Sequence, residues 1–311
     1  MKHWIQAARL RTLPLSVSGI IVGSMYAMSQ AMFNWKIVIF ALTTTLGFQV
    51  LSNFANDYGD GIKGTDNADR IGPKRAIQSG TISPKAMKNA MIVTSILTLI
   101  SAILLIYCSF KGNYFIYSLL FLVLGIAAIA SAIRYTVGNT AYGYRGYGDL
   151  FVFVFFGLVS TVGVYFLFAK KIDWQLVLPA IAIGFLSVGV LNLNNMRDEA
   201  SDRKSNKNTI VVKIGAAKAK KYHFFLIISA MVLVVIFALI AHFRFDQYLF
   251  LLAYIPLVKH LVTVYKNQEP RSLDPELKKL ALTTFSLSIL LALCMISLIP
   301  DIIVNLLLGG R

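Results

Sequence analysis

The stretch Gln49-Val50-Leu51-Ser52-Asn53-Phe54-Ala55-Asn56-Asp57-Tyr58-Gly59-Asp60-Gly61-Ile62-Lys63-Gly64-Thr65-Asp66 closes an apolar run that begins at Lys36. A run of that length reads as an α-helix crossing a bilayer, which needs about 20 mostly apolar residues. The helix does not stay apolar to its end. Gln49, Ser52, Asn53, Asn56, Asp57 and Asp60 recur mostly at spacings of three and four, which puts most of them along one helical stripe. The pattern returns after the apolar run that starts at Trp174. There Asn194, Asp198 and Asp202 are four residues apart, with Asn195 and Arg197 beside them. Two membrane helices are therefore expected to carry polar, acidic ends.

The whole chain fits that setting. Its 311 residues are 57% hydrophobic and only 14% charged, a composition that excludes one or two ordinary soluble domains. Nine stretches are apolar enough to cross: 13–28, 36–53, 87–108, 114–133, 150–169, 174–196, 222–241, 246–264 and 280–299. Cytoplasmic loops of membrane proteins collect basic residues. With the N-terminus inside, 24 of the 30 Lys and Arg residues fall on the cytoplasmic side and six outside. This alternation predicts an all-α integral membrane protein of nine transmembrane helices, a single domain over 1–311, with a cytoplasmic N-terminus and an external C-terminus. The net charge of +16 does not point to nucleic acid, because it is spread over membrane loops; anionic lipid and an anionic substrate account for it better. Cys108 and Cys294 lie in apolar spans without metal spacing and say nothing about redox compartment. Residues 1–12 are basic and precede an apolar run, yet no small-residue cleavage site follows, so the run reads as a retained first span.

The long loops on the cytoplasmic side are 54–86, 197–221 and 265–279. Seven of the 14 acidic residues lie in the first two: Asp57, Asp60, Asp66, Asp69, Asp198, Glu199 and Asp202. A helix C-terminus carries partial negative charge, so carboxylates there are repelled by it and by one another. A single such cluster would pass as solvated, mutually paired charge. Two clusters continuing intramembrane polar stripes point to a site, because ionisable groups at that depth are usually functional. Oxygen ligands in this number suit Mg²⁺, which takes carboxylates together with water and substrate phosphate. Gly59, Gly61 and Gly64 let the chain turn sharply after the helix. Lys63, Arg70, Lys74, Arg75, Lys204 and Lys207 supply cations for diphosphate oxygens, with Arg suited to bidentate contact.

The run Asn56-Asp57-Tyr58-Gly59-Asp60-Gly61-Ile62-Lys63-Gly64-Thr65-Asp66, continued by Asp69-Arg70-Ile71-Gly72-Pro73-Lys74-Arg75, resembles the first aspartate motif of the UbiA superfamily of membrane prenyltransferases, in the wording of its MenA branch. Asn194-Asn195-Met196-Arg197-Asp198-Glu199-Ala200-Ser201-Asp202-Arg203, followed by Lys207-Asn208-Thr209-Ile210-Val211-Val212, resembles the second. Arg9-Leu10-Arg11-Thr12-Leu13-Pro14 is similar to that branch's opening, although the proline usual after the first Arg is absent. The resemblance implies nine helices around a central cavity and a Mg²⁺-dependent transfer of a polyprenyl group from polyprenyl diphosphate to 1,4-dihydroxy-2-naphthoate. Loss of CO₂ would then give the demethylmenaquinone skeleton of menaquinone synthesis. The 4-hydroxybenzoate branch usually reads Asp-Arg after its first Asn-Asp pair, then Arg-Thr and Arg-Pro. Asp60-Gly61 and Ile71-Gly72-Pro73-Lys74-Arg75 stand in those places, which favours the naphthoate.

On this reading Asp57, Asp60, Asp198 and Asp202 hold Mg²⁺ and do the catalytic work. Asn53, Asn56, Lys63, Arg70, Lys74, Arg75, Asn195, Lys204 and Lys207 bind the diphosphate. Arg9, Arg11, Asp66, Tyr142, Tyr144, Arg145, Tyr147 and Asp149 contact the remaining substrate, the tyrosines also serving to shield an allylic cation. Phe151, Phe153, Phe155, Phe156 and Phe166 are expected in lipid or packing contact, and Lys259 and His260 as basic side chains reaching the interface. The expected location is a bacterial cytoplasmic membrane with the site on its inner side. Rival readings are a 4-hydroxybenzoate enzyme and a secondary transporter. A transporter would carry its acids at mid-depth beside broken helices.

Overall fold

Apolar segments in a bilayer have no partner for their backbone but themselves, so they coil. The computed structural model describes residues 2–66 and 71–296, and every apolar stretch among them is helical. In chain order the helices are α1 Lys2–Ala8, α2 Leu13–Ser29, α3 Trp35–Ile62, α4 Pro84–Phe110, α5 Phe115–Arg134, α6 Gly148–Val152, α7 Val164–Ala169, α8 Val177–Lys204, α9 Ile210–Ile214, α10 Ala216–Ile240, α11 Tyr254–Lys266 and α12 Asp274–Ile296. A π-helical segment, Phe153–Gly163, joins α6 to α7, so the fifth span is one rod with a widened middle. Among the described residues there is no strand.

Eight helical stretches among the described residues are long and apolar enough to cross a membrane, and a ninth is completed if α1 and α2, bent by 54°, count together. Alone, the 17 residues of α2 reach about 26 Å, short of the roughly 30 Å of hydrocarbon. The bend falls at Arg9, whose φ of 51° lies in the left-handed region. The last expected span runs to 299; its helix is described to Ile296, and 297–299 lie outside the described residues.

Two helix lengths decide where the site sits. The spans expected at 36–53 and 174–196 continue without a break to Ile62 and Lys204. At 28 residues each, α3 and α8 are about 42 Å long, so each carries roughly 12 Å more helix than the hydrocarbon needs. That surplus holds Asp57 and Asp60 on one helix and Asp198 and Asp202 on the other.

The packing core lies among α2, α8, α10, α11 and α12, where Val22, Leu186, Leu193, Ile227, Phe237, Leu257 and Leu287 are buried together. α3 packs on α4 and α5, and the outer face of α5 is bare, with Phe115 77% and Ile116 76% exposed, as a lipid-facing helix requires. The π segment is clasped by backbone. A Cβ on Gly157 would stand 2.7 Å from the Gly184 Cα of α8, and one on Gly23 of α2 would stand 2.4 Å from the Thr161 carbonyl oxygen. Small residues at such crossings let helices approach closely.

Candidate active site

The protruding ends of α3 and α8 meet. Between them lies a cavity of about 10 Å³, lined by Asp60, Thr65, Asp66, Arg75, Asp198, Ser201, Asp202 and Lys207. It has room for about one water molecule or small ion. Residues of both acidic motifs thus share one pocket.

The chain after α3 folds back to build it. Gly64, at φ 70°, makes the turn, and the Thr65 N–H donates to the Asp60 carbonyl at 3.0 Å. Asp60 is 1% exposed; its carboxylate accepts from Arg75 Nη1 at 2.6 Å and from the Tyr144 hydroxyl at 2.7 Å. Arg75 also reaches Asp66 at 3.1 Å and donates to the Asn56 carbonyl at 2.8 Å. Burial works against the guanidinium, but Asp60 and then Asp66 outweigh it and hold Arg75 more firmly charged than an ordinary arginine.

On the α8 side Arg197, 1% exposed, grips Asp198 at 2.6 Å and also bonds Asp274 at the start of α12. Lys207, past the end of α8, stands 3.5 Å from Asp202. Burial alone would favour its neutral form. Asp60 and Asp202 reverse that and raise the Lys207 ammonium above the usual lysine value.

Several expected contacts fall elsewhere. Asp57 lines neither this pocket nor the larger cavity; its two oxygens accept the backbone N–H groups of Ala76 and Ile77 at 3.0 and 3.2 Å, anchoring the returning loop. Lys63 turns away to the Thr136 carbonyl at 2.8 Å and lies 4.1 Å over the Tyr144 ring; burial lowers its pKa. Lys74, Lys204, Arg145 and Tyr147 are exposed, and Asn195 is buried but lines neither cavity. Asp149 accepts from the Tyr222 hydroxyl at 3.1 Å. Arg9 is half-buried at the bend between α1 and α2. Arg70 and the Arg11 side chain lie outside what the structure describes.

A second cavity, of about 310 Å³, opens beside the acidic pocket among α3, α4, α5 and the fifth span. Its polar end carries Gln49, Ser52, Asn53, Asn56 and Tyr142, and its far wall is apolar, with Leu105, Phe121, Phe155, Val164 and Leu167. Phe151, Phe155 and Phe156 line it, against the expectation of lipid or packing contact, because the i and i+4 rows of the fifth span face inward. Phe153 and Phe166 do pack, on Phe185 at 5.5 Å and Tyr117 at 5.0 Å. Phe151 stacks on Tyr142 at 4.0 Å. Tyr135 belongs to the lining and was not singled out by sequence; burial, opposed by Lys207, pushes its phenol up to about 12. Its signal was a tyrosine directly after an apolar span, which an interfacial belt also produces. His260 is no interfacial side chain. It is 4% exposed and hydrogen-bonded to His223 at 2.8 Å and Glu276 at 2.6 Å, because its side of α11 faces α10 and α12, whereas Lys259 beside it is exposed.

Among the described residues no group of three or more His, Cys, Asp or Glu side chains stands close enough to hold a metal ion by itself. Each pocket carboxylate is instead matched with an internal cation. The donor chemistry nevertheless fits Mg²⁺, an oxygen-seeking ion that completes its shell with water and phosphate. Asp202 Oδ2 is buried with no hydrogen-bond partner among the described residues, an acceptor left for a ligand.

The chain is similar to known proteins in sequence and in fold. The chain is 42% identical over 295 residues to 1,4-dihydroxy-2-naphthoate octaprenyltransferase of Haemophilus influenzae, covering 94% of this chain and 95% of that one. It is 42% identical over 278 residues to the Escherichia coli protein of the same name, covering 89% of each. A UbiA homolog from Archaeoglobus fulgidus, solved bound to GPP and Mg²⁺, superposes with a TM-score of 0.69 at 14% identity over 96% of this chain and all of that one, which shows a common fold. The UbiA prenyltransferase family matches residues 16–290. That match takes in far more than half of the sequence, and with it the chain belongs to the UbiA prenyltransferase family, as an integral membrane enzyme.

Proposed function

We propose that the protein transfers a polyprenyl group from polyprenyl diphosphate to 1,4-dihydroxy-2-naphthoate with loss of CO₂, giving the demethylmenaquinone skeleton of menaquinone synthesis. One observation carries the reading. The two acidic helix ends share a pocket that also holds Arg75 and Lys207, and an oily cavity begins one turn of α3 away at Asn56. A charged head and a hydrocarbon tail joined in one molecule fit that pair of spaces. The naphthoate is supported by the names of the relatives at 42% identity.

Asp60, Asp66, Asp198 and Asp202 would hold Mg²⁺, which when bound neutralises diphosphate oxygens as the leaving group departs. Asp57 would fix the loop that carries Arg75. Arg75 and Lys207 keep their charges and face the pocket, so negative charge developing on the departing diphosphate meets cations already in place. The allylic carbon emerges into the cavity beside Tyr135, Tyr142 and Phe151, whose faces favour a cation and whose bulk excludes water. The ring carbon of the naphthoate attacks there. We place the site on the inner side of a bacterial cytoplasmic membrane, on the strength of the basic-residue bias of its loops.

The test is an acceptor comparison in membranes containing the protein. With a polyprenyl diphosphate, the naphthoate is expected to be prenylated only when Mg²⁺ is present, and 4-hydroxybenzoate to be turned over far more slowly. Equal turnover of the two acceptors contradicts the assignment.

A further inference from the structure

We infer that Gln49 is a specificity residue, whose Oε1 accepts a hydrogen bond from a ring hydroxyl of the acceptor. The inference rests on the proposed function and deepens it. Gln49 lies on α3, lines the polar end of the large cavity and is 9% exposed. Its amide orientation is forced by its neighbours. Asn53 Nδ2 donates to the Ala8 carbonyl at 2.8 Å, which turns Asn53 Oδ1 toward Gln49. Gln49 Nε2 donates to that oxygen and to Thr12 Oγ1, each at 3.3 Å. Flipping the Gln49 amide would set oxygen against oxygen, so Nε2 stays on that side and Oε1 points away.

Oε1 is buried with no hydrogen-bond partner among the described residues. A buried carbonyl without a donor is costly and rare, so a donor is expected when the cavity fills. An isoprenoid tail has no O–H or N–H and cannot serve. A dihydroxy aromatic acid has two phenolic donors. Gln49 and Asp60 are eleven residues apart on one helix, about 16 Å along its axis. An acceptor ring set beside the first carbons of a tail whose diphosphate sits at Asp60 lies along the turns between them.

A site that hydrogen-bonds a substrate hydroxyl rejects analogues lacking it. Gln49→Met, which keeps the volume and removes the acceptor, is expected to raise the KM for the naphthoate about tenfold, the loss of one buried hydrogen bond. The KM for the prenyl diphosphate should not move. In the unaltered protein, 1-hydroxy-2-naphthoate and 4-hydroxy-2-naphthoate should inhibit unequally, and the weaker inhibitor should lose no further affinity in Gln49→Met. An unchanged naphthoate KM in the variant overturns the inference, as does a shift confined to the diphosphate KM. Equal inhibition by both analogues in the unaltered protein overturns it without recourse to any variant. Absence of naphthoate turnover by the unaltered protein would instead overturn the proposed function itself.

Discussion

At Asp57 both carboxylate oxygens are engaged by the backbone N–H groups of Ala76 and Ile77, whereas at Asp202 one oxygen has no hydrogen-bond partner among the described residues. Side chains of the same type therefore differ in what their loss does. Asp57→Asn is expected to lower stability by about 1–2 kcal/mol, because one backbone donor loses its acceptor, and to cut activity by displacing Arg75. Thermal melting in detergent alongside an activity assay checks this, and an unchanged melting temperature would show that the anchor is dispensable. Lys207 gives a pH prediction. Its folded pKa is raised above the ordinary lysine value, so its stabilisation is fully present below that value and is lost only as pH rises through the higher folded one. The melting-temperature difference between the unaltered protein and Lys207→Gln should stay constant from about pH 8 to 9. A difference that changes within that interval would mean that the folded pKa of Lys207 is lowered into it. In the sequence, Asp57 and Asp60 had equal claims on a metal, three residues apart on a polar stripe. Their hydrogen-bond partners differ because the loop 71–83 returns to α3, a long-range contact that helical spacing does not encode.

At the scale of helices, the apolar run gave the existence of α3 and α8 but not their ends. A hydropathy boundary marks where lipid stops, and helix propagation continues past it wherever backbone bonds can still form. The acids are thereby carried on continuous helix and not on loops. The widened fifth span was not legible at all, since its sequence is apolar apart from Ser160 and Thr161 and carries no mark of π winding. A Cβ on Gly157 would stand 2.7 Å from both the Ala180 carbonyl oxygen and the Gly184 Cα of α8. Gly157→Ala should overpack that crossing and cost about 1–3 kcal/mol. Thermal melting measures it, and a variant as stable as the unaltered protein would show that the segment has room to shift.

Across the whole molecule, composition and the alternation of basic loops were enough for the all-helical membrane fold, and the two motifs were enough for the family. The shape of the first span was not, because a 17-residue α2 reads as a crossing until its length is measured against the bilayer. The transporter reading falls with the family match, and the acids lie in the last turns of their helices, away from mid-depth. Which cations would face the diphosphate also needed the tertiary structure. Lys63, Lys74, Arg75, Lys204 and Lys207 look alike along the chain, yet only Arg75 and Lys207 of these line the pocket. We propose that the ends of α3 and α8 hold one anionic ligand between them through a divalent ion. Isothermal titration of geranyl thiodiphosphate, whose C–S bond resists ionisation, tests it on the unaltered protein, Asp60→Asn and Asp202→Asn. The account predicts binding that requires Mg²⁺ and is lost in both variants. Undiminished Mg²⁺-dependent binding by either one would mean that its helix takes no part in holding the ligand, and would contradict the account.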